Sequence, residues 1–138
     1  MATVTLATEP LHEIFYCSVL APGASPFSVS TIMAQARNGN AELGITGLLI
    51  FDGLHFLQHL EGPHSPLQGL MARIAADPRH TGVQVIYEGA LLARRCTRFE
   101  MGYAEPAESD DAYERLVCEG EAGLQRFLAL RPSFDIQS

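Results

Sequence analysis

Along this chain, apolar residues recur either at every second position or at helical spacing, and the two rhythms divide it into elements. Leu11–Leu20 carries the run Ile14, Phe15, Tyr16, Cys17. As a strand it would place Ile14 and Tyr16 on one face and Phe15 and Cys17 on the other. A loop over 21–26, with two prolines and a glycine, precedes Val29, Ile32, Met33 and Ala36. Their i, i+3, i+4, i+7 spacing predicts a helix, which Asn38-Gly39-Asn40 should end because Gly and Asn tolerate left-handed backbone. Residues 45–51 and 54–61 predict two strands joined at Asp52-Gly53, a strong hairpin signal. Pro63-His64-Ser65-Pro66 breaks the chain. A helix is then expected over 66–76, with Leu67, Leu70, Met71, Ile74 and Ala75 on one stripe and Asp77-Pro78 beyond its end. Two more strands are predicted over 83–87 and 96–101.

The order β-α-β-β-α-β-β predicts an α+β fold with the split βαβ, ferredoxin-like plan and one added strand. Two helices would cover one face of the sheet. Phe15, Cys17 and Leu57 would point to the other. A cover is available in the mostly helix-forming tail over 111–130, through Leu116, Val117, Leu124, Phe127 and Leu128. Gly120 and Gly123 should split that tail into two short helices.

Composition narrows the class. A chain of 138 residues suits one domain, and at this size roughly 70% of the unfolded surface can be buried. An apolar content of 47% with 18% charged residues excludes disorder. A net charge of −7 disfavours direct contact with nucleic acid. No apolar run reaches the ~18–20 residues of a bilayer span. Met1–Pro10, read as a loose leader, has no Lys or Arg and no compact apolar block, so no secretion signal is expected. Three scattered cysteines, Cys17, Cys96 and Cys118, form neither a CxxC pair nor a disulfide framework, which predicts a reducing, cytoplasmic setting.

Chemistry concentrates on the strand around Phe56-Leu57-Gln58-His59-Leu60-Glu61-Gly62. Alternation puts Gln58 between Phe56 and Leu60 on one face. A buried amide without partners costs roughly 1–3 kcal/mol. Gln58 is thus either a wetted or backbone-satisfied residue or a polar hook toward a ligand. Tyr16 poses the same choice, because a buried hydroxyl also needs a partner. The two could lie side by side on neighbouring strands.

With these residues in view, the chain resembles the BLUF domain, a module that senses blue light using flavin. The resemblance rests on Ile14-Phe15-Tyr16-Cys17-Ser18, Asn40 with Gly44-Ile45-Thr46-Gly47-Leu48-Leu49, Phe56-Leu57-Gln58-His59-Leu60-Glu61-Gly62, Asp77-Pro78-Arg79-His80, and Arg94-Arg95 followed by Phe99-Glu100-Met101. These segments fall in order between Leu11 and Tyr103. The resemblance implies FAD with its ring between the two helices, over the sheet, and Ile32 and Ile74 among the apolar walls. It implies that Tyr16 gives an electron and a proton to the excited flavin. Gln58 would link Tyr16 to the flavin and change its hydrogen bonds after the transfer, leaving a slightly red-shifted spectrum. Asn40 would bond the ring's polar edge, Arg79 and His80 would stand near its C2 carbonyl, and Met101 would relay the change outward. Three positions depart from the pattern. Phe99 replaces a frequent tryptophan and cannot donate a hydrogen bond. Gly39 stands where a polar or ring-stacking side chain is common and Ala36 where a serine is, and both bear on flavin affinity.

A glutamine amide both donates and accepts, so turning it reverses two hydrogen bonds at once. The resemblance therefore implies a light sensor over 11–103 with a helical extension over 104–138, no output enzyme, and signalling to an unidentified partner protein from a homo-oligomer. The alternatives are a flavoenzyme, disfavoured by the lack of a GxGxxG motif, and a light-insensitive ferredoxin-like interaction module. Other candidates have plainer readings. His55 and His59 share a strand face, but no Cys or His follows at ligand spacing, so zinc is not expected. His12 and His64 suit the surface. Glu108, Asp110, Asp111 and Glu114 suit a solvated helix start. Arg94-Arg95 suits a solvated loop, and Cys96 and Cys118 suit small buried apolar sites.

Overall fold

The structure, a computed structural model, describes residues 9–105 and 118–137. The expectations for residues 1–8 of the leader, for the acidic cluster over 108–114 and for Leu116 and Val117 lie outside these residues. In chain order the elements are β1 (Leu11–Leu20), α1 (Pro26–Glu42), β2 (Thr46–Phe51), β3 (His55–Pro63), α2 (His64–Ala76), β4 (His80–Leu91), β5 (Phe99–Tyr103), α3 (Glu121–Ala129), a 3₁₀ turn (Arg131–Ser133) and β6 (Asp135–Gln137). They build one six-stranded sheet in the order β4-β1-β3-β2-β5-β6. β2 and β5 run parallel, and the other neighbours are antiparallel. β3 lies between β1 and β2, as the ferredoxin-like plan requires, and the fold class is the α+β one expected.

Both faces of β1 and β3 are buried, because both faces of the sheet are covered. On the helix side, Val29 and Met33 of α1 pack on Leu49, Phe51, Phe56 and Met101, while Leu67 of α2 packs on Ile14, Tyr16, Ile45 and Leu60. On the back, Phe15, Cys17, Leu48, Ile50, Leu57 and Ile86 meet Leu124 and Phe127 of α3. The Phe15 and Phe127 rings stack at 4.9 Å. Burying each such side chain contributes roughly 1.5–3 kcal/mol. The helical cap over the back face is therefore present, built from α3.

Several boundaries differ from the expectation. α1 runs through Asn38-Gly39-Asn40 to Glu42, and the left-handed residue comes at Gly44, with φ 71°. A mid-helix glycine costs only about 1 kcal/mol, which packing offsets. α2 begins at His64, not Pro66, since a first turn has no intrahelical donors for a proline to remove. β4 is an edge strand of 12 residues, longer than predicted. β5 starts at Phe99, not Cys96. Gly120, at φ 59°, breaks the tail as expected, but Gly123 is buried inside α3 and breaks nothing. β6 was not anticipated.

Two glycines permit close strand approach. A Cβ on Gly47 would lie 1.9 Å from the His59 carbonyl oxygen, and one on Gly102 would lie 2.3 Å from that of Asp135. Register then aligns a row of residues across the sheet. Tyr16 sits opposite Gln58, Gln58 opposite Leu49, Leu49 opposite Met101, and Met101 opposite Gln137.

Candidate functional site

β1 and β3 deliver Tyr16 and Gln58 to adjacent positions on the helix side of the sheet. The Gln58 amide Nε2 donates to the Tyr16 hydroxyl at 2.7 Å. Both side chains are buried. Burial pushes the Tyr16 phenol above its ordinary value, against a smaller opposing effect of the Gln58 bond, so Tyr16 keeps its proton at neutral and mildly alkaline pH.

Above this pair, a cavity of about 300 Å³ opens between α1 and α2. That is within the size range of small-molecule sites, about 300–1,000 Å³. Its floor includes Leu49 and Phe56, its α1 wall Ile32, Ala36, Gly39 and Asn40, and its α2 wall Leu70, Arg73 and Ile74. Asp77, Arg79 and His80 line it as well. Continuation of α1 past Gly39 is what carries Asn40 to this wall. Two buried polar atoms, Asn40 Nδ2 and Gln58 Oε1, have no hydrogen-bond partner among the described residues. One can donate and the other accept. Leaving them so costs roughly 1–3 kcal/mol each, and a flat heterocycle with both donors and acceptors on its edge would recover that cost. A flavin ring has such an edge, so the residues present fit it.

Arg79 and His80 line the cavity, with Nε and Nη2 of Arg79 and both ring nitrogens of His80 committed elsewhere. Arg79 donates to the Asp77 carboxylate through Nε at 2.9 Å and to Gln35 Oε1 through Nη2 at 2.8 Å. Its guanidinium holds the Asp77 carboxyl below the usual carboxylate range. His80 Nε2–H donates to the Ile74 carbonyl, which leaves Nδ1 to accept from the Ser18 hydroxyl at 2.7 Å. The ring also packs edge-on against Tyr16, at 6.5 Å between centroids. Arg73 lines the same cavity and has no hydrogen bond or ion pair among the described residues. Sequence reasoning missed Arg73, Asp77 and Gln35. Only the position of Arg73 one residue before Ile74 on the helix stripe could have suggested it. Met101 and Phe99 stand outside the cavity. Met101 is buried in the α1 cluster, and half-buried Phe99 packs against both helix-side clusters.

The back face holds a second polar group, which bears on three expectations. His59 does meet a cysteine: Cys96 Sγ lies 3.9 Å from His59 Nδ1, and one donor atom each of His59, Glu61 and Cys96 falls within 4.8 Å of the others. Sequence separation hid this approach. These atoms are engaged in a hydrogen-bond network. His59 Nε2 donates to Glu13 at 2.9 Å. Glu61 accepts from Thr46 Oγ1 at 2.8 Å and from the backbone N–H groups of Arg95, at 2.8 Å, and Cys96, at 2.7 Å. Arg94 and Arg95 are exposed, as a solvated loop requires, yet their guanidinium groups also staple that loop to the sheet. Arg94 donates to Thr46 and to the Gly44 carbonyl, and Arg95 to Glu13. Cys96 is only partly buried, with its thiol pushed up to about 12 by desolvation. Cys118 is exposed, not buried. His64 is exposed as expected, and His12, edge-on to it at 4.8 Å, is half-buried and bonded to Glu88.

Comparison with known proteins agrees with this geometry. The family model described as "Sensors of blue-light using FAD" matches residues 11–102. The chain is 36% identical over 84 residues to photoactivated adenylate cyclase subunit beta of Euglena longa, covering 61% of this chain and 10% of that protein. It is 28% identical over 117 residues to the blue light- and temperature-regulated antirepressor BluF of Escherichia coli strain K12, covering 83% of this chain and 29% of that one. This chain thus spans a tenth to under a third of those proteins. The dark-state structure of the BLUF protein BlrB superposes with a TM-score of 0.70 and 30% identity, over 89% of this chain and 98% of that one. The chain belongs to the BLUF family of flavin-dependent blue-light sensors.

Proposed function

We propose that this chain binds FAD non-covalently between α1 and α2 and reports blue light through Tyr16 and Gln58. The observation that carries the reading is the pair of buried, unpartnered atoms, Gln58 Oε1 and Asn40 Nδ2, on two residues that line one cavity beside the Tyr16–Gln58 hydrogen bond. Excited by blue light, a bound flavin supplies an oxidant strong enough to accept an electron and a proton from a neutral phenol. Tyr16 holds that proton on its hydroxyl because burial keeps the phenol un-ionised. Gln58 presents Nε2–H to Tyr16 and Oε1 to the cavity. Rotation of the amide exchanges the two, so that Oε1 faces the Tyr16 hydroxyl and an N–H faces the cavity. The amide is thus a two-state element.

Ile32 and Ile74 supply the apolar walls. Asn40 donates to the ring's edge, and Arg73 is the uncommitted cation on the same lining. Arg79 and His80 belong to the cofactor site as its frame, holding the end of α2 against α1 and β1. Met101 takes up the change at Gln58 through Leu49, with Phe99 packed beside it. The sensor occupies 11–103, and 104–138 forms its extension. The chain carries no catalytic function of its own and acts from the cytoplasm, as a homo-oligomer, on a separate effector protein. The relatives, a light-activated cyclase subunit and a light-regulated antirepressor, illustrate two kinds of effector. Among the described residues no helix is long and apolar enough to cross a membrane.

The test is an absorption spectrum of the purified chain before and after blue light, with the extracted cofactor identified. A flavin spectrum that shifts slightly red and recovers in darkness supports the reading, and extracted FAD supports the cofactor. A flavin that is bleached by turnover of a reductant points to an enzyme. A chain that cannot be loaded with flavin points to an interaction module.

A further inference from the structure

Gln58 and the C-terminal strand β6 are joined by one line of paired residues on the helix side of the sheet. Leu49 separates Gln58 from Met101, and Met101 pairs directly with Gln137. Side chains at paired positions lie about 4.5–5.5 Å apart at Cβ. Leu49 and Met101 are 1% and 3% exposed and share one packed cluster. At such density a displaced side chain shifts its neighbour.

β6 is the weakest member of the line. It has three residues and a single neighbouring strand, and Asp135 and Gln137 are exposed. Its attachments are few. It pairs with Met101, Gly102 and Tyr103. Ile136 and Phe134 rest on the back-face core. Arg131, in the preceding turn, donates through Nε to Glu100 at 3.0 Å. The pairing also depends on Gly102, since a Cβ there would lie 2.3 Å from the Asp135 oxygen. Short edge elements open locally at a small fraction of the global stability.

We propose that β6 is a light-released strap: the rearrangement of Gln58 passes through Leu49 and Met101 and loosens the pairing of Asp135–Gln137 with β5. This rests on the proposed photochemistry of Gln58. It adds a destination, a strand that the sequence pattern did not announce.

The experiment is hydrogen exchange of the flavin-loaded chain, read by mass spectrometry over 131–137, in darkness and under continuous blue light. The amides of β6 should exchange about fivefold faster in the light, the change that a modest loss of local stability produces. Met101→Ala should keep the absorption shift and lose the light–dark difference. Gly102→Ala should keep the shift and show fast exchange at β6 in both conditions. A normal red shift with unchanged or slower exchange at β6 overturns the strap and leaves the photochemical reading intact. A light–dark difference that survives in Met101→Ala overturns the route. A flavin-loaded chain with no red shift defeats the reading on which the strap rests.

Discussion

Gln58 donates to the Tyr16 hydroxyl at 2.7 Å, and its other amide atom has no hydrogen-bond partner among the described residues. One end of the amide is fixed on the sheet, and the residue lines the cavity between α1 and α2. A residue placed so can report a change on either side by turning. Tyr16 is reached by strand pairing alone, opposite Gln58 in the β1–β3 register.

The roles of the two residues separate by substitution. Gln58→Leu should retain flavin and lose the light-induced red shift, because no amide remains to turn. Tyr16→Phe should retain flavin and give no productive photocycle. Difference absorption spectra after blue light decide both. A full shift in Gln58→Leu would remove that residue from the switch, and a normal cycle in Tyr16→Phe would point to another donor.

The same bond predicts a coupling energy. Either single substitution leaves the surviving partner buried without its hydrogen bond, at roughly 1–3 kcal/mol. The double variant Tyr16→Phe with Gln58→Leu removes both polar groups, so its cost should fall short of the sum of the singles by about 1 kcal/mol or more. Urea denaturation of the four proteins gives the cycle. Strict additivity would mean that the bond contributes nothing to the fold.

The cap on the back face should be integral to the sheet. Phe127 is 1% exposed and stacks on Phe15. Phe127→Ala should therefore cost about 3–5 kcal/mol. The cavity lies on the opposite face, so flavin loaded at low temperature should still show the red shift. A loss below ~1 kcal/mol would show that α3 merely rests on the sheet.

How much of this was readable in the chain depended on distance along it. Alternation fixed the faces of β1 and β3, and with them the neighbourhood of Tyr16 and Gln58, because one strand face carries apolar residues at every second position. Asn40 was picked out by resemblance, yet its helix was expected to stop there, since Gly39 weighs against helix locally and only packing of Val29 and Met33 overrides it. Arg94 and Arg95 are solvated as read, but their bonds were hidden because the partners, Glu13, Thr46 and Glu61, lie 34 to 82 positions away. β6 gave no signal at all: three residues, two of them polar, have no periodicity to detect, and their strand character comes wholly from pairing with β5. Arg73 was passed over because an arginine beside an apolar stripe is usually a solvated one.

His59 supplies a prediction about pH. It is fully buried among Glu13, Glu61, Arg95 and Cys96. Desolvation lowers its pKa below the ordinary 6.5, although the Glu13 bond and the Glu61 charge pull the other way. In the fold it stays neutral where the unfolded chain takes up a proton. Below about pH 6.5 the unfolded state therefore binds more protons, and stability must fall as pH falls. The Cys96 thiol, pushed up to about 12, stays neutral throughout that window. Between pH 7.5 and 5.5 the chain should lose up to about 1.4 kcal/mol more than His59→Gln, whose amide can still donate to Glu13 but cannot titrate. Denaturant unfolding of both proteins at the two pH values measures the difference. An equal loss in both would mean that His59 takes up its proton inside the fold, with the two carboxylates outweighing burial.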